Sequence, residues 1–178
     1  MLMAIVLGGF VAGALDILYA FIAFGPLLPT LLPGATPLTP IEILQSVARG
    51  WIGGPAAEAG GMHTALLGAA SHFGIAMVMA AVYVLASKPL PMLVRQPILW
   101  GFLYGLVLMF VMNYVVTPIS AAHASHHFAS NVGDALSRVQ AALAAFKIRS
   151  PLLFVGTIFT HTVLVAIPIA LIARRFSA

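Results

Sequence analysis

The chain contains no cysteine, and only four of its 178 residues are acidic. Without thiols it can form no disulfide, thiolate metal site or iron–sulfur cluster, and the redox compartment leaves no trace in the sequence. Charged residues make up 7% of the chain, against about 25% in soluble globular domains, which excludes an ordinary water-soluble fold. Eight Lys and Arg leave a net charge of +4, too sparse for a nucleic-acid surface. In so apolar a chain they read as topology markers, and no nucleic-acid partner is expected. What is abundant is hydrophobic side chain, 62% of all residues, much of it in long runs. That composition belongs to an integral membrane protein, with the lipid bilayer as its first partner.

A hydrocarbon core about 30 Å thick requires about 20 apolar residues in helical form. Four stretches meet that length, at about 2–24, 61–87, 98–117 and 152–173. Their ends are marked by Pro26, by Lys88-Pro89, by Pro118 and by Arg174-Arg175. The runs are continuous rather than alternating, which favours helices over barrel strands. The expected fold is all-α, a four-helix transmembrane bundle forming one integral membrane domain over 1–178. The first run lacks a basic start, exceeds a normal signal-peptide apolar segment and contains Asp16, so it is expected to be a retained anchor. Lys88 and Arg95 lie in a short connection, and Arg174 and Arg175 follow the last run. Arg49, Arg138, Lys147 and Arg149 are spread over the two long connections. Basic density therefore places both termini in the cytoplasm and the long connections outside.

The long connections carry helical patterns of their own. Thr39-Pro40-Ile41-Glu42 has the form of a capping box with proline at the first helical position. Ile41, Leu44, Val47 and Ala48 then suggest a short amphipathic helix ending near Gly50, with Glu42, Gln45, Ser46 and Arg49 facing away. In the second connection Phe128, Val132, Leu136, Val139, Leu143 and Phe146 recur at helical spacing, opposite Ser130, Asp134, Ser137, Arg138 and Gln140. Such helices cap a bundle, lie in the membrane interface, gate a substrate or dock a partner. Packing as a cap is the plainest of these expectations.

Ionisable groups at bilayer depth cost a few kcal/mol each, so each is a candidate for function. Asp16, His72 and His161 lie well inside their runs. Counted from the outer ends at about 1.5 Å per residue, all three sit at a similar depth, with Asn113 somewhat nearer the surface. Gly9, Ala12, Gly13 and Ala20 share the Asp16 face, and Ala65, Gly68, Ala69 and Ala76 share the His72 face, with Glu58 continuing that stripe outward. Gly101 and Gly105 repeat the spacing in the third run. Small residues let helices approach closely in lipid, so the polar groups are expected to point inward, whereas His63 faces the opposite way.

Several readings of this Asp16, His72, Asn113, His161 layer are open. It is a structural network in which buried polar groups satisfy one another. It is a proton or small-cation site, since histidine beside a carboxylate titrates near neutral pH. It is a bis-histidine haem b site on His72 and His161, with small residues leaving room for the macrocycle. Or it is a lipid or quinone pocket. Outside the runs, His123, His126 and His127 cluster, and on a helix His123 and His127 would share a face at metal-ligand spacing. Asp134 is the nearest carboxylate, and a solvated His-rich loop is the simpler expectation. The glycines around 53–61 lack the Lys-Ser/Thr of a phosphate loop, and no serine sits in a nucleophile elbow, so no enzyme motif is present.

Leu15-Asp16-Ile17, Leu44-Gln45-Ser46, Gly50, Glu58, Gly60-Gly61, His72-Phe73, Gly101-Phe102-Leu103-Tyr104-Gly105, Met112-Asn113-Tyr114 and Pro118 together resemble a group of small four-helix bacterial inner-membrane proteins. The resemblance covers most of the chain up to the third run and implies a four-helix inner-membrane fold, with no activity attached to it. The His123–His127 cluster is not part of it. The function expected is that of a non-enzymatic complex subunit, alongside other membrane subunits, or a small transport-related protein. The alternative is a haem-binding electron carrier.

Overall fold

The computed structural model of the chain describes residues 1–148 and 150–176. Arg149, one of the basic residues used to orient the chain, lies outside the described residues. Among those described the protein is all-helical, with no strand. Four helices are long and apolar enough to cross a membrane: α1 (Leu2–Ala23), α4 (Gly61–Ala86), α5 (Pro97–Ile119) and α7 (Pro151–Phe176). They match the four expected runs to within three residues at every boundary. This is the makeup of a multi-pass membrane protein. Between them stand α2 (Pro40–Ile52), α3 (Gly54–Ala59) and α6 (Val132–Ala144).

Two of the long helices outlast a proline. Pro118 was expected to end the third run, because its ring crowds the carbonyl four residues back and it has no N–H. Instead α5 widens into a π turn at Met112–Val116, where the Thr117 N–H reaches back to Met112 O, and continues to Ile119. The Thr117 hydroxyl donates to the same carbonyl at 2.8 Å. In α7 a π segment over Thr160–Ala166 likewise precedes Pro168, with the Ile167 N–H bonded to Thr162 O. The extra residue per turn offsets the lost hydrogen bond locally, and such turns occur frequently at functional sites.

The chain divides into two compact units, residues 1–22, 72–109 and 152–178 in the first and 23–71 and 110–151 in the second. In the first unit α1 packs on α4 through Gly9 and Gly13, and on α7 through Gly8. Part of α5 meets α4 where the Tyr104 hydroxyl donates to Met79 O at 2.8 Å, and meets α7 through Gly101 and Gly105. The core between them is lined by Ala12, Ala80, Tyr83, Leu108, Val165, Ala166 and Ile169. Alanine and glycine at these contacts let the backbones approach closely.

In the second unit α2 begins with the expected capping box, Thr39 and Glu42 each bonding the other's backbone N–H. Its facing is not the one expected. Gln45, read as solvent-facing, is buried and donates to Gly61 O at 3.0 Å, pinning the start of α4, while Ile41 and Trp51 are exposed. Leu44 O and the Ala48 N–H side of α2 lie against Gly68, leaving room only for glycine there. In α6, capped by Asn131, no residue is buried, and Val132, Leu136 and Leu143 are all exposed. α6 thus leaves its apolar side chains outward, whereas α2 buries Ile43 and Ala48 and exposes Ile41 and Trp51.

Candidate functional site

Asp16, His72 and His161 come from α1, α4 and α7, and all three belong to the first unit. The approach of α1 to α4 is set by glycine. A Cβ at Gly9 would stand 2.6 Å from Met77 Cα, and one at Gly13 would stand 2.9 Å from Phe73 Cδ1. With the helices this close, the Gly13 carbonyl lies 2.8 Å from His72 Nε2. A carbonyl can only accept, so Nε2 carries the proton and donates to it. The same nitrogen is 3.8 Å from Asp16 Oδ2, with the two side chains 12% and 31% exposed, so the pair is sheltered without being sealed.

His161 sits in the π segment of α7. Its Nδ1 donates to Thr157 O at 2.9 Å, which leaves Nε2 as the basic nitrogen of the neutral ring. It is one of a run of side-chain donors reaching four residues back. Thr157 bonds Leu153 O, Thr160 bonds Gly156 O and Thr162 bonds Ile158 O, at 2.7 to 2.9 Å. In a π segment backbone N–H groups reach five residues back, and these side chains serve carbonyls that the shift leaves underused. Gly105 of α5 braces the turn, since a Cβ there would stand 2.5 Å from both His161 O and Thr162 Cα.

The Asp16 carboxylate thus stands beside the His72 imidazole. The acid and the two histidines come from three helices of the first unit, and the two rings are held in opposite tautomers. Each neutral ring keeps one basic nitrogen, Nδ1 on His72 and Nε2 on His161.

Asn113 lies in the π turn Met112–Val116, within the second unit. His63 and Glu58 are exposed. The metal geometry imagined for His123 and His127 is absent, because residues 120–130 form turns and bends, not a helix. His123 Nδ1 instead accepts from the Ser125 N–H at 3.2 Å, and Arg138 donates to His127 O. Among the described residues no group of three His, Cys, Asp or Glu is placed to hold a metal ion. On α6, Asp134 takes Arg138 Nε at 2.8 Å, and with the Ser130 N–H this holds its carboxyl down at about 2. Hydrogen bonds from Thr39 likewise lower Glu42.

The π segments and the Gly13 carbonyl were not foreseen from the residues. Their signal was present as Pro118 and Pro168, each a few positions downstream of a polar residue, Asn113 and His161. No protein-family model, no curated protein and no solved structure matches the chain.

Proposed function

We propose that the chain is a multi-pass protein of the bacterial inner membrane, with both termini cytoplasmic. In this reading its four long helices form a bundle around a proton- or small-cation-handling site made by Asp16, His72 and His161. The observation that carries it is the His72 Nε2 contact with Gly13 O at 2.8 Å and Asp16 Oδ2 at 3.8 Å. A charge at bilayer depth is expensive unless it is partnered, and here the partners come from separate helices and are themselves titratable. The contacts α1–α4, α4–α5, α5–α7 and α7–α1 support the bundle. The outward apolar face of α6 and the exposed Ile41 and Trp51 of α2 support an interfacial position for the short helices.

The haem reading is less well supported. Nε2 of His72, the nitrogen that a haem iron would take, already donates to Gly13 O. The small residues expected to make room for a macrocycle are filled instead by Met77, Phe73 and Thr162.

In sealed liposomes the protein is expected to carry a proton or monovalent-cation flux that Asp16→Asn abolishes and His72→Gln reduces. Equal flux from wild type and Asp16→Asn removes the transport reading and leaves a structural network, as in a subunit of a larger complex. A Soret band in the purified protein, lost in His72→Ala, would instead establish the haem alternative.

A further inference from the structure

The second unit holds a pair of donors with no acid beside them. Arg49, in the last turn of α2, is half-buried, and among the described residues no carboxylate lies within ion-pair distance of it. The other acids of the unit are engaged elsewhere or exposed: Glu42 bonds Thr39, Asp134 bonds Arg138, and Glu58 faces outward. A Cβ built on Gly54 would stand 3.2 Å from Arg49 Nη2, 3.3 Å from its Nε and 3.4 Å from His126 Cε1. Guanidinium and imidazole therefore flank one glycine.

The imidazole is oriented by the backbone. The Gly54 N–H donates to His126 Nδ1 at 3.3 Å, which leaves the ring proton on Nε2 as a free donor. His126 is the only non-glycine among the described residues with a left-handed backbone, at φ 58°. Such a conformation persists where the surroundings hold it, and it clusters at ligand sites. Here the loop is fastened to α2 on both sides. The Ala121 N–H donates to Gly50 O at 3.1 Å, and the Phe128 and Trp51 rings stand 6.1 Å apart. Gly53, at φ 80°, passes so close that a Cβ would stand 2.9 Å from His126 O.

We propose that Arg49 and His126 form an oxyanion site over Gly54 that takes a phosphate group. Arg49 supplies the planar N–H fork suited to two phosphate oxygens and His126 supplies the Nε2–H; both pack onto Gly54, and the ligand would approach from the exposed side of His126. The phosphate is free or belongs to an anionic phospholipid. The lipid source is the one the flanks suit, because Trp51 and Phe128 are 56% and 50% exposed beside the site, as aromatic residues at a membrane interface are. That choice of source rests on the membrane reading, whereas the phosphate chemistry does not.

The test uses Trp100→Phe protein, which leaves Trp51 as the only tryptophan. Inorganic phosphate is titrated into the protein in detergent and in phosphatidylcholine nanodiscs, and a parallel series replaces half of the lipid with phosphatidylglycerol. Trp51 emission is expected to respond, with the apparent affinity falling about tenfold in Arg49→Gln, as for loss of a charged hydrogen-bonding pair. His126→Asn, which tolerates the left-handed backbone, and Gly54→Ala, whose methyl displaces the guanidinium and the ring, should each weaken the response several-fold. The exposed Arg95→Gln should leave it unchanged. A response to phosphatidylglycerol assigns the headgroup, and one to inorganic phosphate alone assigns the free ion. No response to either that depends on Arg49, His126 or Gly54, in variants that melt like the parent, overturns the site. Failure to enter nanodiscs breaks the membrane reading while the detergent titration still decides the site.

Discussion

Asp134 and Arg138 pair within one helix, four residues apart and 2.8 Å from Oδ1 to Nε. Asp16 and His72 pair between two helices at 3.8 Å, with the same nitrogen bonded to a backbone carbonyl. The first pair follows from helical periodicity alone and forms wherever that helix forms. The second exists only because Gly9 and Gly13 bring two backbones together. The side chains of the two pairs are about equally exposed, 11% and 27% against 12% and 31%. The first, however, joins neighbours on one turn of a short helix outside the long apolar ones, so little depends on it. The second lies among apolar helices, where removing one partner leaves the other with an unmet need.

The largest effect is expected at the other backbone-to-backbone contact in the first unit, α5 against the His161 turn of α7. Gly105→Val places a side chain against the backbone of the His161 turn, and overpacking of this kind is expected to cost about 3 kcal/mol. Unfolding in mixed micelles measures it, and a variant as stable as wild type would show that the turn is not braced by α5. Next comes His72→Leu, which strips the Gly13 carbonyl of its side-chain donor and Asp16 of the neighbouring imidazole, and is expected to cost about 2 kcal/mol in the same assay. Thr39→Ala removes one half of the capping box and should cost about 1 kcal/mol, seen as faster amide exchange confined to the start of α2.

The smallest effect belongs to the surface pair. Its carboxyl is held below the ordinary value of 3.8, at about 2, so the stabilisation is complete above the ordinary value and disappears as pH falls from there towards about 2. Asp134→Asn should therefore leave global melting unchanged at neutral pH and loosen only α6, by amide exchange. A large loss of stability in that variant would erase the distinction between the pairs. Nitrogen NMR sharpens it from the other side: His72 is expected as the Nε2–H form and His161 as the Nδ1–H form, and identical tautomers would contradict the geometry.

The four long helices, the Thr39 capping box and the shared polar face of Asp134 and Arg138 were legible along the chain because each depends on neighbours within a turn or two. The facing of α2 was not. Amphipathic periodicity finds the polar side of a helix but presumes that water lies there, and Gln45 is instead buried against Gly61 O. The alternative reading of the histidine loop as a metal-binding helix face failed for a related reason. Spacing of four residues means a shared face only on a helix, and the left-handed His126 belongs to a chain that is turning.

Composition and local pattern by themselves determined an all-helical chain with four runs long enough for a bilayer, since length and apolarity are properties of a segment alone. They also singled out Asp16, His72 and His161 by the cost of putting such groups in an apolar stretch. Which atoms meet was decided only by the tertiary structure. The Gly13 carbonyl on His72, the π segment beneath His161 and the meeting of Arg49 with His126 over Gly54 all depend on how closely separate backbones approach. That distance is set by packing between distant parts of the chain, which no local window of residues contains.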